Sequence, residues 1–319
     1  MAREATIATI DIGTHTVLLL IAAISEQGEF RVLHDEQQFA RLGTQVDAHR
    51  MLRKDAMERT AMYLQRYKET AARFGAKKII AVGTSALRDA GNSAEFCSYI
   101  AATVGMQVEI LSGDDEARWT FHGGIGNFTH AASSFSVLDI GGGSTEVIVG
   151  TPKAIDAKQS FDVGCVRVTE RFLRSSPPTS LELLQARDFI HDMLKPVVAY
   201  NVGSTFAVAV AGTVTTMAAL HLQLEAFDPE KINGFVLDRT IVAGIFTFLH
   251  GKTVSEIRDV PQIEHERADI ILAGIMIADA YMDIAGITRL IVSVRGLRYG
   301  IVYREIESLR QAVHPTHGA

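Results

Sequence analysis

Cysteine is nearly absent. Only Cys97 and Cys165 occur in 319 residues, which excludes a disulfide framework and fits a reduced compartment. Positive charge is also short: 31 Lys and Arg stand against 37 Asp and Glu, a formal net charge of −6. That balance argues against broad nucleic-acid binding. It leaves room for an anion held locally by backbone N–H groups and a few arginines. Long apolar runs are missing too. The most apolar later stretch, residues 270–280, is too short for a membrane span and contains Gly274 and Asp279. Residues 1–11, MAREATIATID, show no small-residue cleavage site, so no signal peptide is expected. There is no low-complexity segment. The eleven histidines show no metal-ligand spacing, and no Ser/His/Asp or Cys/His constellation stands out. The expectation is a cytoplasmic protein with neither nucleic acid nor membrane as partner.

What remains is an ordinary globular composition, 47% hydrophobic and 21% charged, in a chain long enough for two domains. The stretch that organises it is 137–150, VLDIGGGSTEVIVG. An apolar run reaches Asp139, then Gly141, Gly142 and Gly143 are followed by Ser144, Thr145 and Glu146 before a second apolar run. This reads as strand, tight turn, strand, with a carboxylate closing the first strand. Glycines let a ligand lie directly on backbone N–H groups, and phosphate is the usual guest of such a loop. One Gly-rich hairpin is weak. A second, similar stretch near the N-terminus strengthens it: Asp11, Gly13, Thr14, His15 and Thr16 align with Asp139, Gly141, Gly142, Gly143 and Ser144. The repeat predicts two similar halves, each with a phosphate cradle.

Strands are expected at 6–12, 17–24 and 30–36, with a turn at Gln27-Gly28-Glu29. A strand after the first glycines disfavours both the P-loop and the dinucleotide fold, which put a helix there. A helix is expected over 54–74, ended by Gly75, then a strand at 78–82. Arg88 lies just past that strand, where ligands collect in open α/β sheets. Alternatively, it pairs with Asp89 on the surface. After a strand at 108–111, Ser112 and Asp115 have the spacing of a helix cap, which places Glu116 in a first helical turn. The helix dipole there favours an ionised carboxylate, as a general base requires. From this segment alone, helping the helix start is the simpler role. Gly123, Gly124 and Gly126 form a candidate hinge. Further on, the stretch 160–168 carries a turn at Val163-Gly164-Cys165-Val166-Arg167, and a helix is expected over 180–200, kinked at Pro196. A strand at 206–210 runs into a third Gly–hydroxyl turn, Gly212-Thr213. Helices follow at 237–250 and 264–285, a strand at 290–294 and a final helix through Leu309.

Taken in order, IDIGTHT, TSALRDA, LSGDDEARW, LDIGGGSTEVIVG, VGCVRVTERF, VAGTVTT and GLRYG resemble the exopolyphosphatase / guanosine pentaphosphate phosphohydrolase (Ppx/GppA) family of the actin, Hsp70 and sugar-kinase superfamily. The resemblance implies an α/β fold of two ribonuclease-H-like, actin-like ATPase domains with a central cleft. They would cover residues 1–128 and 129–300, the last helix, 301–319, packing back on the first. It also implies that Glu116 is the catalytic base and that Asp139 and Glu146 line the site and hold a divalent cation, most simply magnesium. Asp11 and Gly13–Thr16, with Gly141–Ser144, would be the phosphate loops, and Arg88, Gly212 and Thr213 further substrate contacts. The chain departs from the family pattern at His15, at Asp115 and at 294–299, Val-Arg-Gly-Leu-Arg-Tyr.

The expected function is release of terminal phosphate from inorganic polyphosphate or from the 5′ end of guanosine pentaphosphate, by a possible homodimer. Two rivals share the residues. An ATP-dependent kinase or ATPase on this fold would hold nucleotide at 211–213. A non-catalytic alarmone-binding sensor would have little use for carboxylates facing phosphate.

Overall fold

The computed structural model describes residues 4–313. The expected helix residues 314–319 lie outside them. The chain divides into two units: one runs to Gly123 and takes in the segment from Leu297 onward; the other is Gly124–Gly296.

The first unit begins with the meander read from the sequence. Strands β1 (Ala5–Ile12), β2 (Val17–Ile24) and β3 (Phe30–Gln38) are antiparallel neighbours. β4 (Lys78–Gly83) and β5 (Val108–Ile110) then add parallel to β1, giving the order β3-β2-β1-β4-β5. Side chains alternate across β1 as a strand requires. Ala8, Ile10 and Ile12 face a core shared with helices Lys54–Arg73 and Ser93–Thr103. Ile7 faces the other side, with Leu20, Ala22 and Ile24, against Tyr299, Val302 and Ile306 of helix Leu297–Val313. That helix is also tied down by Lys78–Glu305 at 2.7 Å and Arg304–Glu109 at 2.8 Å. Each pair keeps one exposed partner, so solvent screening holds it to about 0–1 kcal/mol, and burial of the apolar face stabilises the helix more than they do.

The second unit repeats the scheme. β6 (Phe135–Ile140), β7 (Thr145–Gly150) and β8 (Ile155–Phe161) form the meander. β9 (Phe206–Val210) joins β6 in parallel, and β10 (Val236–Asp238) and β11 (Arg289–Val292) complete the order β10-β11-β9-β6-β7-β8. Helix Ile271–Ile284 is apolar and buried almost all round, as a helix at the centre of a core must be.

Several boundaries differ from the sequence reading. The turn expected at 163–167 runs into a helix: β8 ends at Phe161 and helix Cys165–Phe172 begins after Gly164. Pro196 does not kink a continuous helix. The α-helix Ser180–Leu194 stops, and a 3₁₀ segment, Lys195–Tyr200, takes Pro196 in its first turn, where the missing N–H is tolerated. The segment expected as helix 264–285 is a 3₁₀ turn, His265–Arg267, followed by helix Ile271–Ile284. Residues 237–238 belong to β10, and helix Arg239–Leu249 starts only after the Asp238 cap. Gly123 and Gly124, read as part of a hinge, lie within helix Gly113–Ile125. Gly124 is packed: a Cβ there would meet Val210 at 3.1 Å and Val137 at 3.3 Å.

Candidate active site

In the first unit, the parallel register Ile12↔Gly83↔Ile110 brings the carboxyl ends of β1, β4 and β5 to one edge. The loop after β1 closes when Gly13 N–H donates to Thr16 O at 2.9 Å. Its carbonyls are turned to a neighbouring segment: Gly43 N–H donates to Thr14 O at 2.8 Å and Arg41 N–H to His15 O at 2.9 Å. A trans peptide points its N–H opposite its C=O. The N–H groups of His15 and Thr16 therefore point away from residues 41–43. Thr14 and His15 are buried, and the His15 ring stands edge-on to Phe39 at 5.5 Å. Arg41 accepts a left-handed φ of 49° to make this contact, a strain that sites often hold. Asp11 is half-buried, just ahead of the loop.

At the same edge, Ser112 starts helix Gly113–Ile125. Its Oγ accepts Asp115 N–H at 3.1 Å and donates to Asp115 Oδ2 at 2.7 Å. Glu116 follows in the first turn and is 7% exposed. Arg88, on the short helix Ser85–Asp89 after β4, donates through Nη1 to Glu116 Oε2 and to Leu111 O at 3.2 Å. This pairing with Glu116 was not among the sequence readings for Arg88; Asp89 lies 3.7 Å from Arg50.

In the second unit, Asp139 and Glu146 are direct cross-strand partners, so both carboxylates stand on the same sheet face. Glu146 is 1% exposed; its Oε1 accepts Ser144 Oγ at 2.8 Å and Ser160 Oγ at 2.6 Å. The glycine loop is built like the first. Gly141 N–H donates to Ser144 O at 3.0 Å. The carbonyls of Gly141 and Gly142 accept N–H groups of Cys165 at 2.9 Å and Val166 at 2.8 Å, and Gly143 O accepts Arg167 Nε at 2.7 Å. By the same planarity, the N–H groups of Gly142, Gly143 and Ser144 point away from helix Cys165–Phe172. Three consecutive N–H groups of this kind make an anion nest. Gly164 lets the helix come so close: a Cβ there would lie 2.5 Å from the Gly142 carbonyl carbon and 2.6 Å from that of Gly143.

The third turn is different. Ala211 has a φ of 73°, and Gly212 opens helix Gly212–His221 beneath the guanidinium of buried Arg267, leaving no room for a Cβ. Burial pushes the Arg267 pKa down despite the opposing pull of Cys165 and Glu264. Thr213 is turned to the core, where a Cβ on Gly274 would meet its Cγ2 at 2.7 Å. What this turn offers a ligand is therefore backbone. Sequence reasoning missed Ser160, Arg167 and Arg267. Arg167 alone left a local signal, as a cation among apolar residues.

No group of three or more candidate metal ligands occurs among the described residues. Two adjacent carboxylates do fit a magnesium-type ion, which takes one or two of them and completes its shell with water and phosphate.

Each unit thus has an antiparallel three-strand meander, parallel additions and a loop of outward N–H groups, which together define an actin-like α/β protein. The comparisons agree. Residues 20–309 match the Ppx/GppA phosphatase family, and the chain belongs to that family. It is 34% identical to exopolyphosphatase 2 of Mycobacterium tuberculosis, over 92% of this chain and 97% of that one. It is 27% identical to a guanosine-5′-triphosphate,3′-diphosphate pyrophosphatase of Vibrio cholerae, of which it spans 60%. A crystal structure of the Aquifex aeolicus Ppx/GppA family member superposes with a TM-score of 0.80 at 30% identity, covering 98% of this chain and all of that one.

Proposed function

We propose that this chain hydrolyses a terminal phosphoanhydride, with inorganic polyphosphate as first substrate and the 5′ end of guanosine pentaphosphate as second. The observation that carries the reading is the anion nest at 142–144 beside the paired carboxylates Asp139 and Glu146. The names of the relatives point to the same two substrates. Glu116 takes a proton from water as the water oxygen bonds to the terminal phosphorus. The bond from that phosphorus to the bridging oxygen breaks, and the shortened chain leaves with the electron pair. Arg88 holds Glu116 in place. The two loops bind phosphate oxygens through their N–H groups. Bound magnesium, held by Asp139 and Glu146, would neutralise charge on those oxygens.

No helix among the described residues is long and apolar enough to cross a membrane, and both cysteines are free. These support a reducing, cytoplasmic setting. The test is orthophosphate release from polyphosphate, guanosine pentaphosphate and ATP side by side, with and without magnesium. Release from the first two, dependent on magnesium, is expected. Release from ATP alone would favour the kinase or ATPase reading, and tight alarmone binding without any release would favour the sensor.

A further inference from the structure

Ser160 takes no part in the bond-making and bond-breaking above, yet it touches the site. It lies on β8, the outermost strand of its sheet. The registers Asp139↔Glu146 and Glu146↔Ser160 set these three residues in one row across β6, β7 and β8. Directly paired residues share a sheet face, so Ser160 flanks Glu146 on one side as Asp139 does on the other. Ser160 Oγ donates to Glu146 Oε1 at 2.6 Å, and Ser144 Oγ donates to the same oxygen at 2.8 Å. Hydrogen bonds to a carboxylate are among the strong ones, and two on one oxygen restrain a group whose last torsion is otherwise soft.

The two donors do different work. Ser144 stands two residues before Glu146, so its bond lies within one hairpin. Turn and carboxylate could shift together without breaking it. Ser160 reaches across from the next strand, 14 residues on. Its own neighbours are anchored on the opposite face, as strand alternation requires. Phe161 is buried in the core of the second unit, and Gln159 Oε1 accepts the Tyr200 hydroxyl at 2.7 Å. Just beyond β8, Val163 O accepts Thr145 Oγ1 at 2.5 Å. We infer that Ser160 is a positioning residue: through Oε1 it fixes Glu146, and the Ser144 hydroxyl that shares this oxygen, to the sheet, and so sets the carboxylate for a divalent cation. The inference rests on the cation-binding role proposed for Asp139 and Glu146.

The test is equilibrium binding of manganese(II) to the whole protein without phosphate, followed by loss of the free-ion paramagnetic resonance signal. Manganese takes the same oxygen ligands as magnesium. Polyphosphate binding in a chelator and melting temperature are measured on the same variants. Ser160→Ala should weaken manganese binding about 10- to 100-fold, as loss of a partner behind a metal ligand does. Polyphosphate binding in the chelator should stay within about threefold of the parent, because the N–H groups that carry it are untouched. Ser160→Thr keeps a hydroxyl and should restore manganese binding to within about threefold. In a Glu146→Gln background, Ser160→Ala should bring no further loss of turnover, since the two act as one unit. Parent-level manganese binding by Ser160→Ala, or a loss that Ser160→Thr leaves unrestored, would overturn the inference. So would a loss in which manganese binding, polyphosphate binding and melting temperature fall together, or a further loss of turnover in the Glu146→Gln background. A parent that binds no manganese, or a Glu146→Gln variant that binds it normally, would instead sink the cation reading, and this inference with it.

Discussion

Glu116 shows how much one residue takes from its surroundings. The Ser112 cap places it in a first helical turn, and Arg88 holds its carboxylate from another strand end. The cap lies within four residues of Glu116 and was legible in the sequence. The arginine is 28 residues away, and it comes within reach of Glu116 because β4 and β5 are parallel neighbours. Glu116→Gln keeps size and shape but cannot take a proton. Turnover of polyphosphate should fall by about two to four orders of magnitude while binding is retained. Measuring both on one preparation checks this, and loss of binding together with turnover would make Glu116 a structural residue.

Among the elements, helix Cys165–Phe172 does most to shape the site, since its N-terminus fixes the carbonyls of the glycine loop. The sequence reading placed only a turn there, at 163–167. The extended Gly164, with φ −148°, allows the switch to helix. Gly164→Ala should cost roughly 1–3 kcal/mol by overpacking. It should also reduce turnover by about a hundredfold, since an ångström of misplacement is that expensive in a site. Denaturant unfolding and phosphate release measure the two effects. Helix Ser180–Leu194 gives a pH test. Glu182 accepts backbone and hydroxyl donors from Thr179 and Ser175, chiefly the Thr179 N–H, which depress its pKa from 4.5 to about 2. A depressed carboxyl contributes stability that is full above its unfolded value and lost as pH falls through the folded one. Glu182→Gln should therefore melt lower at pH 7, and the gap to the parent should close between pH 4.5 and 2. A gap that is constant with pH would assign the loss to packing.

Across the whole chain, the first unit is discontinuous. Its sheet is covered on one face by helix Leu297–Val313, which buries Ile7, Leu20, Ala22 and Ile24. A chain ending at Gly296 would expose that face and lose the Asp35, Lys78 and Glu109 partners. Hydrogen exchange should then show lost protection of the β1 and β2 amides, while β6, β7 and β9 keep theirs. Equal protection in both units would mean the helix is dispensable.

The amino-acid sequence by itself determined the first meander, the hairpin at 137–150 and their glycine turns, because strand period, glycine freedom and helix caps are properties of neighbouring residues. Ser112 with Asp115 and the repeat of Asp11–Thr16 at Asp139–Ser144 were readable for that reason. The tertiary structure alone decided where the buried and half-buried cations lie: Arg88 on Glu116, Arg167 on Gly143, Arg267 over Gly212 and Arg298 on Asp35, 263 residues apart. A cation leaves water only for a partner of fixed geometry, and strand order, which no local pattern encodes, determines which partner comes within reach.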